Sequence, residues 1–383
     1  MRSTLGPLDP WTFGPLDLHN DRMTPGRILV VRAGALGDTL MATPVVRALA
    51  ARYPGATIDF LCAAGAAPLL EGNPAVARIL PLQHRNVPWF LSLEKRRLVR
   101  GLRQAGYEFA VLLESAGRFH RLLRHAGIAQ VRSFRDIQFD PMLHSAASNL
   151  RVAGFDDWRA VPGGLDMDLF VSPEEEAAAE QLLAASRQPP AAGPRVGLHA
   201  GWGPRGKKSR NQGERLKGWG LDNFIELGRL LAARGCHLAL TGSEEDRSEA
   251  EAIAAGLPAG SATVLAGRTS VRQLAALIRR LDLFVSVDTG PAHMAAAVGT
   301  PLVVLWGPSK LRQVAPISSR GPVRIVRHPV FCAPCYDTPM METCRRNICM
   351  ESISPQRVLR EIEAVFETTK PQRTRSTQRG NSL

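Results

Sequence analysis

Within residues 286–309, SVDTGPAHMAAAVGTPLVVLWGPS, an apolar run leads into Asp288, Thr289, Gly290, Pro291 and His293 before a stretch of alanines. A plain strand-to-helix connection needs a glycine or a cap. It does not need an acid, a hydroxyl and an imidazole together. Asp288 or Thr289 can cap the helix that follows. The first N–H groups of that helix, at the positive end of its dipole, then form an anion site. Gly290 lets a phosphate approach the backbone, and His293 on the first turn can donate to the same phosphate. Each residue alone also fits a capped helix with a packed histidine. All five at one strand end point to a ligand.

Other segments carry chemistry of the same kind. The turn GALGDT (34–39) lacks the full G-x-G-x-x-G pattern of dinucleotide binding. Its Asp38 fits two readings: an acid in a first helical turn, favourable by up to about 1 kcal/mol, or a base facing a cleft. The loop GWGPRGKKSRNQGERLKGWG (201–220) holds six Lys/Arg against one Glu, and Lys217, just before a helix, is placed to meet a phosphate as a point charge. In TGSEED (241–246) a carboxylate can take ribose hydroxyls or cap the next helix. Arg118, Arg121 and His125 share one helical face, either solvated or turned to an anionic acceptor. Cys332, Cys335, Cys344 and Cys349 form a late C-x2-C-x8-C-x4-C cluster. In a reducing compartment such a cluster suits a structural zinc or iron, with free thiols and disulfides as alternatives. Cys62 and Cys236 read as core.

These residues need a scaffold. Residues 27–32 are a short β-branched run, a buried strand, followed by a helix over 39–52 that ends at Pro54-Gly55. TIDFLCA, 78–82 and 108–113 are further strands. A helix over 173–186 leads to RQPPAAGP (187–194), a domain boundary. The same grammar then restarts, with strands at 195–201, 237–242, 262–265, 283–287 and 301–307. Helices fill 221–234, 245–255, 270–280 and 291–298. Alternation of this kind predicts an α/β fold with two doubly wound parallel domains and a cleft between their strand ends. The expected organisation is an extension over 1–25, an N-terminal acceptor domain over 26–187 and a donor domain over 195–352. A C-terminal helix over 353–368 and a basic tail over 369–383 complete it.

Bulk properties bound the partners. The chain has 383 residues, 45% of them hydrophobic and 22% charged, enough for proper cores. No stretch approaches the ~18–20 apolar residues of a membrane span. The first 24 residues repeat GPLD at 6–9 and 14–17 and lack a signal-peptide core, so they read as a disordered extension, with Met23 an alternative start. The expected location is the cytoplasm, with peripheral contact at the inner face of the membrane. Net charge is +13, and residues 85–135 hold eleven Lys/Arg against three Glu. Anionic substrates, membrane surfaces and nucleic acid all suit such charge. Aromatic residues are only 6% and do not punctuate the basic stretches as a base-stacking platform would, so nucleic acid is not expected.

The segments ILVVRAGALGDTLMATPVVRALAARYP, LKGW, LAGRTSVRQLAALIRRLDLFVSVDTGPAHMAAAVGTPLVVLWGPS and the closing CM-x-x-I together resemble glycosyltransferase family 9, over about residues 27–366. These are the bacterial heptosyltransferases that add ADP-activated heptose to the lipopolysaccharide inner core. The resemblance implies a GT-B fold of two facing Rossmann-like domains. It implies Asp38 as base and Lys217, Asp288, Thr289, Gly290 and His293 as donor contacts. Glu245 would hold the ribose, ahead of Glu244, and Thr269 would contact the nucleoside. The long basic insertion before Lys217 departs from the family pattern, with Gln212 and Gly213 near the expected contacts. The cysteine cluster occurs in only part of the family.

The implied activity is inverting transfer of a sugar from a nucleotide diphosphate to a hydroxyl of a lipopolysaccharide core or another anionic glycan. No catalytic cofactor is expected, because the helix end at 289–293 and Lys217 stabilise the departing diphosphate. Arg118, Arg121 and His125 are the candidate acceptor contacts. The competing expectations are transfer to a protein or other acceptor, a non-catalytic nucleotide-sugar sensor, and a metal-dependent nucleic-acid binder built on the cysteines and tail.

Overall fold

The computed structural model describes residues 25–84, 87, 91–184, 193–201 and 215–369. Most of the basic loop before Lys217, the centre of the expected boundary, and nearly all of both expected terminal extensions lie outside these residues.

The chain builds two parallel sheets. The first contains β1 (Arg27–Arg32), β2 (Thr57–Ala63), β3 (Arg78–Leu82), β4 (Phe109–Leu112) and β5 (Gln130–Ser133), in the order β3-β2-β1-β4-β5. Its helices are α1 (Leu36–Leu40), α2 (Thr43–Arg52), α3 (Leu93–Ala105), α4 (Gly117–His125) and α5 (Ser145–Val152), followed by the connecting α6 (Pro173–Ala184). The second sheet contains β6 (Arg195–His199), β7 (His237–Thr241), β8 (Ala262–Val264), β9 (Leu283–Val287), β10 (Leu302–Trp306) and β11 (Val323–Arg327), in the order β11-β10-β9-β6-β7-β8. Around it lie α7 (Leu221–Ala232), α8 (Arg247–Ala255), α9 (Val271–Arg279), α10 (Gly290–Val298), α11 (Leu311–Val314), α12 (Ile348–Glu351) and α13 (Pro355–Thr369).

The strands are buried on both faces, as parallel strands covered by helices must be. Ile28 and Val30 pack with α2 and α5, while Leu29 and Val31 face the core of α3 and α4. Two differences from the sequence expectation are local. The helix expected over 39–52 is split at Met41-Ala42, because Pro44 sits at the start of α2 and cannot continue α1. The edge strands β5 and β11 were not anticipated. Each carries arginine on a half-exposed face, which hides the apolar alternation.

In each sheet the order reverses beside the first strand, between β1 and β4 and between β6 and β9. Ligands bind outside the carboxyl ends of strands at such switch points. Both switch points open toward one shared interface. A common core joins Leu40, Met41, Ala66 and Leu69 to Ala292, Ala295 and Trp306. The connecting helix α6 packs on α9, where Glu175 pairs with Arg272. Arg272 also donates to the carbonyls of Pro68 (3.2 Å) and Glu71 (3.0 Å). Across the same seam His144 Nε2 meets the Ala315 carbonyl at 2.9 Å, and Gln313 donates to the Pro141 carbonyl at 2.9 Å.

Candidate active site between the two sheets

Where the sheets face each other lies a cavity of about 1000 Å3. That is room for a nucleotide sugar rather than a small fragment. The first half contributes Leu36, Gly37 and Asp38 of α1. The second contributes His199, Lys217, Glu245, Thr269, Asp288, Thr289, Gly290 and His293 among others. Every residue expected to contact donor or act as base therefore lines one space.

Asp38 sits one turn into α1. One carboxylate oxygen accepts the Ala35 N–H at 3.1 Å, and the other meets Arg32 at 2.7 Å. Arg32 ends β1, and its other amino group donates to the Leu113 carbonyl just past β4. The guanidinium thus bridges the first switch point and holds the acid. Burial works against the charge on Asp38, but Arg32 and the Ala35 N–H together outweigh it and keep the pKa below the ordinary carboxylate value. About a third of the side chain stays open, so an incoming hydroxyl can reach it.

On the opposite wall Lys217 Nζ lies 3.1 Å from Asp288 and 4.5 Å from the centre of the Tyr336 ring. Ser309 Oγ donates to the same carboxylate. Asp288 therefore does not cap α10 but aims the lysine. Thr289 is the N-cap residue, yet its hydroxyl turns to Ser286 Oγ (3.1 Å) and makes no cap bond. The N-terminus of α10 consequently carries no side-chain cap and presents its positive end to the cavity.

His293 is buried in the first turns of α10. Burial dominates and lowers its pKa to about 4, with Asp288 and Asp38 opposing and His144 and Lys217 assisting. It is neutral at pH 7. Its Nδ1 makes no hydrogen bond among the described residues. The two halves touch here through glycines. A Cβ on Gly37 would lie 2.7 Å from His293 Cδ2, and one on Gly290 would lie 2.8 Å from Leu36 Cβ. Gly290, expected to admit a phosphate, also admits the facing α1.

Both ribose candidates, Glu244 and Glu245, line the cavity with Thr269, and Glu244 pairs with Arg247 at 2.6 Å. The acceptor candidates do not line the cavity. Arg121 and His125 are exposed on α4, and Arg118 is half-buried over the Phe119 ring.

The four late cysteines are reduced, and their thiols influence one another. Burial and then the neighbouring thiols push Cys349 up to about 11. Cys344 Sγ donates to the Arg346 carbonyl and Cys349 Sγ to Asn347. Among the described residues no three His, Cys, Asp or Glu side chains converge as a metal site. The zinc or iron expected there gains no support from this geometry.

Sequence reasoning missed four cavity residues. His199 ends β6 and lies 3.1 Å from Thr241 Oγ1, with its pKa lowered by burial against the pull of Asp246. Asp246 caps its own turn by accepting the Ser243 N–H at 2.8 Å. Ser309 and Tyr336 hold Asp288 and Lys217 in place. A polar residue at the last position of a buried strand, as in GLHAG, was the available signal for His199.

A model of glycosyltransferase family 9 (heptosyltransferase) matches residues 210–344. Lipopolysaccharide heptosyltransferase 2 of Escherichia coli K12 is 27% identical over 364 residues, spanning 89% of this chain and 98% of that protein. Lipopolysaccharide heptosyltransferase 1 of Pseudomonas aeruginosa is 27% identical over 379 residues, with the same shares. The solved structure of E. coli ADP-heptose lps heptosyltransferase II superposes with a TM-score of 0.71 at 25% identity, covering 90% of this chain and all of that one. A family 9 glycosyl transferase from Veillonella parvula shares the fold at a TM-score of 0.75 and 17% identity, covering 90% and 98%. With its GT-B fold, its cleft and these relatives along nearly its whole length, the chain is a glycosyltransferase similar to those of family 9.

Proposed function

We propose that the protein transfers a heptose from ADP-heptose to a hydroxyl of a lipopolysaccharide-core acceptor, with inversion at the anomeric carbon. The observation that carries this reading is the opposition of charges across one cavity: an ionised Asp38 on one wall, Lys217 and the uncapped end of α10 on the other. The sugar identity rests on the relatives, which are heptosyltransferases along nearly their whole length.

The chemistry follows from the groups. The departing diphosphate is stabilised by Lys217, which Asp288, Ser309 and Tyr336 hold in place before reaction, and by the positive end of α10 at Gly290. Losing one such preorganised donor costs about 3–4 kcal/mol of transition-state stabilisation. The acceptor hydroxyl is a poor nucleophile. Asp38 takes its proton as it attacks from the face opposite the leaving group, so the anomeric configuration inverts. Positioned proton transfer contributes about 10²–10⁴ in rate. Thr269 contacts the nucleoside, and Glu245, on the same cavity wall, takes the ribose hydroxyls. Arg118 and Arg121 extend the acceptor side with positive charge, and His125 adds a hydrogen-bonding imidazole beside them.

The test is acceptor-dependent ADP release from ADP-heptose, compared with UDP- and GDP-sugars, followed by NMR of the product's anomeric proton. Release only from ADP-heptose and an inverted linkage support the reading. Preference for another nucleotide, or retention, overturns it.

A further inference from the structure

Helix α3 carries a surface that the transfer reaction leaves unused. Just before and within its first turn, Leu91 and Leu93 are each 69% exposed, and Val87 is 36% exposed beside them. Exposed leucines scattered singly mean little, but these are held together. Ser92 between them is buried and accepts the Lys95 N–H at 3.3 Å, which starts the helix. Lys95, itself buried, donates its ammonium to the Val87 carbonyl. The apolar tip is therefore tied to the helix that carries it.

Behind the tip, Arg96, Arg97 and Arg100 are exposed on α3, and Arg121 and Arg124 on the adjoining α4. The acid of α3, Glu94, is turned away. It accepts the Gln83 N–H at 2.6 Å and pairs with His84 at 3.0 Å. No other Asp or Glu lies on either helix. Helix α3 starts at the carboxyl edge of the first sheet, the edge from which α1 presents Asp38.

We propose that this tip and the arginine face dock the enzyme on an anionic lipid bilayer, with Leu91 and Leu93 entering the headgroup–acyl boundary and Arg96, Arg97 and Arg100 facing lipid phosphates. Apolar side chains with flanking arginines are the chemistry of interfacial binding. A soluble anionic partner would account for the arginines but not for two leucines held out ahead of them. The orientation turns the cleft edge toward the surface. This deepens the proposed function and rests on it, because the acceptor named there is a glycolipid.

The experiment is sedimentation of the full chain with two kinds of vesicle: phosphatidylcholine alone, and equal parts phosphatidylcholine and phosphatidylglycerol. Binding is expected to the second kind only, and to weaken as salt rises. Replacing Arg96, Arg97 and Arg100 together by Gln should lower partitioning by about 100-fold. Leu91→Ser with Leu93→Ser should lower it roughly tenfold or more. Both variants should keep the thermal midpoint and the turnover measured on a lipid-free, water-soluble acceptor. Wild-type protein that ignores anionic vesicles overturns the proposal, and so does either variant binding like wild type. Normal vesicle behaviour with no transfer from any sugar donor would refute the proposed function while leaving the docking surface standing.

Discussion

Replacing Gly37 by Ala tests whether the two halves must meet as closely as they do here. The new Cβ would lie 2.7 Å from His293 Cδ2. Carbon atoms in good contact stand ~3.5–4.0 Å apart, so the walls would have to part by about 1 Å. His293 cannot easily give way, because it is buried within α10 among packed alanines. Overpacking of this kind costs roughly 1–3 kcal/mol. The cost falls where the halves meet, since the three atoms nearest the added methyl all belong to His293. The closed population, and with it kcat/KM, should fall between about 5- and 150-fold. Each half should fold as before, because Ala is favoured over Gly inside a helix by about 1 kcal/mol. The assay is kcat/KM for transfer alongside the thermal midpoint and the Kd for ADP. A loss of turnover with both other quantities held is expected; Gly290→Ala should lose turnover too, with weaker ADP binding in addition because Gly290 also borders the diphosphate site. Wild-type turnover in Gly37→Ala would refute closure through these glycines. A parallel fall in thermal midpoint would place the clash in folding instead.

Three further outcomes follow from the same geometry. Arg32→Gln removes the guanidinium that holds Asp38 below its ordinary range. Because only ionised Asp38 accepts a proton, the acid limb of kcat/KM should move to higher pH than in the wild type, and an unmoved limb contradicts the pairing. Lys217→Met should weaken ADP binding about 10- to 150-fold and lower the thermal midpoint, since Asp288 loses its cation. Adding Asp288→Asn should recover the midpoint but not the affinity, and recovery of both would remove Lys217 from the phosphate site. His199 and His293 are buried and neutral, with pKa values below the ordinary 6.5. Unfolded chains bind those protons first as pH falls, so stability should be full above about pH 6.5 and decline toward pH 4, measured by denaturant melts. Replacing both by Gln should flatten that decline.

Much of this architecture was legible in the sequence because parallel strands buried on both faces must be apolar throughout. Ile28–Val31 and Leu283–Val287 could hardly be anything else. The polar wall that the second half gives to the cavity was legible for a related reason. Asp288, Thr289 and His293 are polar groups at a place where packing alone calls for none. What stayed hidden depended on partners far along the chain. Arg32 looks like an ordinary strand end until the Leu113 carbonyl and Asp38 are seen around it. Asp288 reads as a cap, and only Ser309 and Lys217 reveal it as the anchor of a lysine. The need for glycine at 37 and 290 comes from the opposite half of the molecule. The spacing of the four cysteines suggested a metal, yet Cys344 and Cys349 turn their thiols to nearby oxygens and no metal site forms among the described residues.

The most direct measurement is single-turnover transfer by Asp38→Asn beside its affinity for the donor. The substitution keeps the shape and removes the proton acceptor. The expected result is a Kd for donor within about twofold of wild type and a transfer rate lower by about 10²–10⁴. A variant that transfers sugar at the wild-type rate would show that the attacking hydroxyl is not activated from this wall.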